Sequence, residues 1–336
     1  MRDILLKLCR REDLTRDEAR AAFLHIISGQ AADSQIGGLL VGLAAKGTTV
    51  EELVGAASVL REKCVPLETP DGQIVLDTCG TGGDVKGTFN ISTAAALIVA
   101  GAGVKVAKHG NRSASSRAGS ADVLEKLGVN VELTPAQASK CLERANICFA
   151  FARLHHPALK AVAHVRSALA IPTIFNMLAP LLNPAAAKHQ LIGVFAPELT
   201  DRFALVLREL GSKHAWIVHA EDGLDEISTL GPTRISQLHM GHIKSWTLDP
   251  KDYGIPYARL SDLQIANVEE AAEAIRSVLR NEAGPKRDIA LVNAAAALVV
   301  AEAAKDLGEG LEKATKSLES GRAREAMELL TQVSNG

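Results

Sequence analysis

Aromatic side chains make up only 3% of the 336 residues, and cysteine is scarcer still, with five. Cys9, Cys64, Cys79, Cys141 and Cys148 are odd in number, widely spaced and without a Cys-x-x-Cys pair, which excludes a disulfide framework or a cysteine-based zinc site. Free thiols in a reducing cytoplasm are expected instead. Charge of one sign is not in excess either, since 37 Lys and Arg face 39 Asp and Glu, for a net charge of -2. Broad nucleic-acid binding rests on Lys and Arg neutralising many phosphates, so no nucleic-acid partner is expected. No apolar run is long enough to span a bilayer, and the opening MRDILLKLCRRED has too short an apolar run for a secretory signal. The expectation is a cytoplasmic protein with no membrane partner.

What is present is an ordinary globular balance, 47% hydrophobic and 23% charged, with enough length for one large core or two domains. One stretch stands out: DTCGTGGDVKGTFNIST, from Asp77 to Thr93. It follows a short apolar run at 74–76 that reads as a buried strand, and it leads into an Ala-rich run at 94–99 that reads as a buried helix. Strand, glycine-rich turn and helix N-terminus together form a concavity of backbone N–H groups that favours phosphate. Two familiar phosphate loops do not fit. Counting from Gly80, the dinucleotide fingerprint would need glycine where Val85 stands, and the P-loop order Gly-Lys-Ser/Thr is here Lys86-Gly87-Thr88.

The chain up to about residue 66 reads as short helices. Thr15 with Glu18 and Thr49 with Glu52 have capping-box spacing, and Gly29 and Gly47 stand where helices should stop. Helices this short bury little alone, so they should pack on the main domain or on a second subunit. Residues 67–72 form the expected linker. Beyond it, strand-like and helix-like segments alternate, with strands expected at 104–108, 147–151, 191–194 and 215–219. This pattern predicts an α/β domain with a mostly parallel sheet covered on both faces. Residues 159–179 read as helical, broken at Pro172 and stopped at Pro180, and the runs 234–238 and 243–248 read as an antiparallel hairpin. His155-His156-Pro157 is expected to shape the loop before the helical insert.

Three loops follow predicted strands: 78–90, 109–119 and 221–226. In open α/β sheets ligands bind beyond the carboxyl ends of the strands, so all three should reach one crevice. The second loop offers Lys108, His109, Asn111, Arg112, Ser113, Ser115, Ser116 and Ser120, a density of cations and hydroxyls suited to a phosphorylated sugar. The third carries adjacent carboxylates, Asp225 and Glu226. Magnesium takes oxygen ligands, typically one or two carboxylates plus substrate phosphates. In the helical insert, Arg166 could hold a carboxylate in a bidentate pair if the insert closes over the crevice.

Taken together, Asp77-Thr78-Cys79-Gly80-Thr81-Gly82-Gly83-Asp84, Phe89-Asn90-Ile91-Ser92-Thr93, Lys108-His109-Gly110-Asn111-Arg112, Gly119-Ser120-Ala121-Asp122 and Asp222-Gly223-Leu224-Asp225-Glu226 resemble the anthranilate phosphoribosyltransferase family. The likeness runs end to end and includes His156-Pro157-Ala158 and Pro180-Leu181-Leu182-Asn183-Pro184. It implies a small all-helical domain, residues 1–66 joined by inserted helices at about 158–183, hinged to a larger α/β domain of residues 73–157 and 184–336, as in the pyrimidine nucleoside phosphorylases. It also implies a homodimer formed through the helical domains, and a step of tryptophan biosynthesis in which phosphoribosyl pyrophosphate and anthranilate give N-(5-phosphoribosyl)anthranilate and pyrophosphate. Mg²⁺, two per subunit, is the implied cofactor.

Residue by residue, the resemblance assigns phosphoribosyl pyrophosphate contacts to Gly80, Gly83, Asp84, Thr88, Asn90, Ile91, Ser92 and Thr93. It assigns further contacts to Lys108, His109, Gly110, Asn111, Arg112, Ser113, Ala114, Ser115, Ser116 and Ser120. Ser92, Asp225 and Glu226 match the metal positions, while Gly80, Asn111 and Arg166 match those lining the anthranilate site. No catalytic residue is implied beyond leaving-group stabilisation by the metal and Lys108. Two positions depart from the family: Ala179 stands where it usually has glycine, and Ala220 where glycine is frequent. A nucleoside phosphorylase on the same fold fits the first loop less well, given Cys79 and Asp84. An inactive nucleic-acid-binding relative fits the charge balance less well.

Overall fold

The structure, a computed structural model, describes residues 1–83, 86–112 and 117–336. The chain begins with helices Arg2–Cys9, Arg16–Ile27, Asp33–Lys46 and Val50–Glu62. Thr15 and Thr49 accept hydrogen bonds from the backbone N–H of Glu18 and Glu52, and both glutamates reach back to the cap N–H, so both capping boxes form. The third helix stops at Gly47, whose φ of 85° suits glycine. The buried stripes of these helices, including Phe23, Leu40, Leu43 and Leu60, share one core with Val162, Ile174 and Phe175 of the insert and with Ile192 and Ile217 of the sheet. Phe23 and Phe175 meet edge to face at 5.8 Å.

The insert is helical at Lys160–Leu169 and Ile174–Leu178. The break between them, around Ala170 at φ 50°, lies just ahead of Pro172, which cannot donate to a continuing helix. His155, just before the insert, ties down the chain ahead of the linker: its Nδ1 bonds Val65 O at 2.8 Å, and Val65 N donates to His155 O at 2.8 Å. Arg61, at the end of the fourth helix, donates to Leu181 O at 2.6 Å.

The sheet has seven strands: β1 Val75–Gly80, β2 Lys105–Gly110, β3 Ile147–Phe151, β4 His189–Gly193, β5 His214–Ala220, β6 Thr233–His239 and β7 His242–Leu248. Their order is β3-β2-β1-β4-β5-β6-β7. The first five are parallel, and β6 and β7 add the antiparallel hairpin. Helices Ile91–Gly101 and Pro285–Val300, both Ala-rich and almost entirely buried, cover one face. No helix among the described residues is long and apolar enough to cross a membrane.

Two strands outrun their expected carboxyl ends by more than one residue. β1 continues through Asp77, Thr78, Cys79 and Gly80, and β2 continues through His109 and Gly110. Polar residues at 77 and 78 read as loop, but each has a hydrogen-bond partner on a neighbouring strand or helix. Asp77 accepts from His109 N at 3.1 Å, and Thr78 Oγ1 donates to Ser92 O at 3.3 Å. Paired polar groups are compatible with a buried strand.

His109 and His156 are buried with their rings 5.1 Å apart. Burial, aided by the neighbouring histidines and Lys108, pushes His109 down to about 3, and burial with His155 pushes His156 down to about 4. Both imidazoles thus protonate more readily in the unfolded chain, so stability is lost as pH falls below the ordinary histidine value. Each should cost about 1.4 kcal/mol per pH unit over that window. Urea denaturation at about pH 7 and about pH 5, on the parent chain and on His109→Gln, should show a shallower loss in the variant.

Candidate active site

The strand order places a topological switch at β1 and β4. From β1 the chain moves one way to β2 and β3, then returns to add β4 and β5 on the other side. The two strands run in register to their last residues, with Gly80 opposite Gly193. A crevice opens where such neighbouring connections diverge, at the carboxyl ends. Here the two departing segments are tied together: Thr81 N donates to Gly193 O at 2.9 Å, and Phe195 N donates to Thr81 Oγ1 at 3.1 Å.

The loop after β5 docks against both glycines. A Cβ on Gly193 would lie 1.5 Å from Asp225 O, and one on Gly80 would lie 2.9 Å from Asp225 Oδ2. No other residue fits at Gly193 with this loop in place. The docking carries Asp225 onto the first loop, where its Oδ2 accepts from Gly82 N at 3.0 Å. Glu226 reaches the N-terminus of helix Ile91–Gly101, where its Oε1 accepts from Ser92 N at 3.1 Å. A carboxylate there is favoured by the exposed N–H groups and the helix dipole. One backbone donor of the glycine-rich turn and one of the helix N-terminus are therefore held by carboxylates.

Beneath this layer lies a buried charged floor. Lys108, 3% exposed, donates from Nζ to Thr78 O at 2.6 Å and to Ser92 Oγ at 3.0 Å, bracing β1 against the helix. Burial pulls its pKa below the usual lysine range, against the opposing pull of Asp77, Cys79 and Glu226. Asp77 is fully buried, and burial pushes its carboxyl up despite bonds that favour the charge. Burial also pushes the Cys79 thiol well up, which fits a packing residue and not a nucleophile.

Other predicted positions fall into distinct groups. Gly110 lets Ser120 approach, since its Cβ would lie 2.4 Å from Ser120 Oγ. Ser120 Oγ donates to Asn111 O at 3.3 Å, and Asn90 Nδ2 donates to Ala118 O at 3.0 Å, which binds the first two loops together. His109 faces the insert through His156. Ile91 and Thr93 turn their side chains into the core. Arg112 pairs with Asp122 at 3.1 Å and with Glu125 at 2.5 Å, on the helix that follows its own loop. Arg166 is partly buried, with its guanidinium 4.8 Å over the Phe175 ring, and no hydrogen bond or ion pair joins that group to a described residue. Asp84, Ser113, Ala114, Ser115 and Ser116 lie outside the described residues.

Sequence reasoning missed several supports. Phe89 N donates to Leu263 O at 3.0 Å, and Ile265 N donates to Gly87 O at 3.0 Å, pairing the first loop with a distant segment in which Thr88 bridges Gln264. Asn293, fully buried on helix Pro285–Val300, accepts from Ile227 N at 3.0 Å and donates to Ile227 O at 2.8 Å. It holds the backbone directly after Glu226. Its one visible signal was a lone amide within an apolar, Ala-rich helix.

The chain matches two family models: "Glycosyl transferase family, helical bundle domain" over residues 2–64 and "Glycosyl transferase family, a/b domain" over residues 72–324. Among its relatives, the anthranilate phosphoribosyltransferase of Sinorhizobium medicae is 49% identical over 335 residues, covering 100% of this chain and 98% of that protein. The enzyme of the same name from Methylobacterium nodulans is 48% identical over 331 residues, 98% of each chain. This chain belongs to the anthranilate phosphoribosyltransferase family. Among solved structures, the family member from Thermus thermophilus superposes with a TM-score of 0.93 at 38% identity, covering 99% of this chain and 100% of that one. The Saccharomyces cerevisiae member, in complex with PRPP and Mg, gives 0.90 at 27% identity, covering 99% and 97%.

Two substitutions probe the seating of the carboxylate loop. Gly193→Ala should move Asp225 by an ångström or more, and a displacement of that size can cost about 100-fold in turnover. Steady-state kinetics beside a circular-dichroism melt would separate that loss from unfolding. Asn293→Ala strands the N–H and C=O of Ile227, and the loss should appear as about 1–3 kcal/mol per unsatisfied group in urea denaturation.

Proposed function

We propose that the chain transfers the 5-phosphoribosyl group from phosphoribosyl pyrophosphate to the amine of anthranilate, releasing pyrophosphate, as a step of tryptophan biosynthesis. The carrying observation is the seating of Asp225 and Glu226 on the backbone donors of a glycine-rich turn and a helix N-terminus, at the switch point of the sheet. The family membership supports the same reading, as does the yeast structure in complex with 4-fluoroanthranilate.

In the reaction the bond from the ribose anomeric carbon to the pyrophosphate oxygen breaks and a bond to the anthranilate nitrogen forms, with one amine proton released. The donor set fits a hard cation: two carboxylates and the Ser92 hydroxyl supply oxygen ligands of the kind Mg²⁺ takes together with substrate phosphates. Without such a cation, a pyrophosphate brought beside both carboxylates would meet only repulsion from them. When bound, Mg²⁺ neutralises charge gathering on the leaving group. Two ions per subunit, held through Ser92, Asp225 and Glu226, are proposed. Loop backbone from Gly80 to Gly83 and from Asn90 to Thr93 cradles the phosphates, and Asp84 and the 113–116 segment complete the proposed contacts. Lys108 contributes positive charge from below while fixing Ser92. Positioning two substrates in a near-attack arrangement can supply roughly 7–11 kcal/mol of the barrier. Closure of the helical segments over the crevice is the proposed means.

Arg166 is assigned to the anthranilate carboxylate, with Gly80 and Asn111 lining the same site. Its guanidinium is desolvated, which pulls its pKa down, and is steadied on Phe175 with no carboxylate partner among the described residues. We also assign the protein to the cytoplasm. A homodimer through the N-terminal helices is proposed on the exposed apolar side chains Leu6 and Val41 there.

Arg166→Ala should raise the KM for anthranilate about tenfold to 100-fold, the worth of a charge-assisted hydrogen bond, while barely changing that for phosphoribosyl pyrophosphate. Equal loss for both substrates counts against the assignment. Asn and Gln can still accept the Gly82 and Ser92 bonds, so Asp225→Asn with Glu226→Gln should fold normally. That double variant should lose about 100- to 1000-fold in turnover, and lose its response to added Mg²⁺. Anthranilate fluorescence with and without chelator reads both effects, and full chelator-sensitive activity in the double variant would remove the metal assignment.

A further inference from the structure

At the opposite end of the sheet from the crevice, four histidines stand in register across four adjacent strands. His189 opens β4 beside His214, which opens β5; His214 lies opposite His239, the last residue of β6; and His239 lies opposite His242, the first of β7. Residues directly paired across strands project to the same face, so register alone gathers imidazoles here. The His214 and His239 rings are 4.4 Å apart.

A carboxylate joins them from outside the sheet. Glu302 lies just beyond helix Pro285–Val300 in the left-handed region, at φ 57°, where a residue other than glycine is strained. Ligating atoms of His214, His239 and Glu302 all lie within 4.8 Å of one another. Among the described residues this is the one such group of three or more His, Cys, Asp or Glu side chains. His189 Nε2 is 3.5 Å from Glu302 Oε1. His214 is 4% exposed, and its Nδ1 is buried without a hydrogen-bond partner. The group borders a cavity of 520 Å³, also lined by Gln237, Lys305 and Glu309.

We propose that His214, His239 and Glu302 form a binding site for one divalent transition-metal cation of the Zn²⁺ type, separate from the catalytic crevice. Imidazole nitrogens select such ions over Mg²⁺. Two histidines, one carboxylate and a water make a standard tetrahedral set, with bonds of about 2.0–2.2 Å. Those bonds place neighbouring donors about 3.4 Å apart, so the group must contract by an ångström or so. His214 is fixed by burial, whereas His239 and Glu302 are exposed and can rotate inward. Lys213, Lys244 and Lys305 lie around the group and oppose a cation, while Glu302 and Glu309 favour it. Glu309 is already engaged with Lys313 at 2.8 Å, leaving Glu302 as the carboxylate for the ion. The bound ion would fasten β5 and β6 to the end of the helix that carries Asn293, a structural role distinct from turnover.

The test uses the full chain stripped with chelator and desalted, titrated with Zn²⁺ alone by calorimetry and with Co²⁺ followed by its visible absorption. One tight equivalent, tetrahedral Co²⁺ bands and a raised melting temperature are expected. All three should persist in Asp225→Asn with Glu226→Gln. His239→Ala with Glu302→Gln, both exposed and remote from the crevice, should weaken binding by at least about 100-fold while Mg²⁺-supported turnover stays at the parent level. His214→Ala serves as a second variant, and its fold is checked by circular dichroism before titration. Absence of a tight equivalent, or binding indifferent to the His239 and Glu302 replacements, overturns the proposal.

Discussion

Asp225 sits where it does because Gly193 has no side chain. The backbone of the loop after β5 occupies the space a Cβ would take, 1.5 Å from the Asp225 carbonyl oxygen, and Gly80 makes the matching concession to the carboxylate at the end of β1. From that contact follows the arrangement of the crevice. Asp225 and Glu226 accept from Gly82 N and Ser92 N, which joins the ends of β1, β4 and β5 and one helix N-terminus into a single rim. Asn293 secures the same loop from behind through both backbone groups of Ile227. Under the proposed function an anionic rim would face an anionic substrate, and cations between them would resolve the repulsion, which would link the packing of two glycines to the proposed metal.

The floor under the rim shows the cost of that arrangement. Asp77 and Lys108 are both buried, and burial shifts each toward its neutral form. Removing ions from water costs several kcal/mol each unless good hydrogen bonds compensate. The compensation is visible: Asp77 takes the His109 N–H, and Lys108 spans Thr78 and Ser92. These bonds lock β1, β2 and the following helix to one another just below the crevice, so the polar residues that weaken the hydrophobic pattern of β1 also stiffen the site.

Much of the architecture could be read locally. The threonine caps at 15 and 49, the stop at Gly47 and the break ahead of Pro172 all appear in the structure, because each depends on residues within one or two turns. The seven strands were legible as elements, though the ends of β1 and β2 were hidden by polar residues whose partners lie on a neighbouring strand or on the helix Ile91–Gly101. The convergence of the first and third loops was legible as well, since both follow parallel strands. What could not be read was the support: Gly193, Asn293 and the segment from Leu263 to Ile265 touch the site through backbone contacts that leave no local pattern.

Sequence by itself therefore determined the type and place of most helices and strands, the glycine-rich turn between Asp77 and Thr93, the acidic pair at 225 and 226, and the family. Only tertiary structure decided which strands are neighbours. The adjacency of β1 and β4 makes the crevice, and the register of β4 through β7 lines up His189, His214, His239 and His242. The reason is that capping, turn chemistry and periodicity act between residues close along the chain. Strand order and register are instead set by burying the sheet's two faces against helices drawn from both ends of the sequence, and no short segment carries that information.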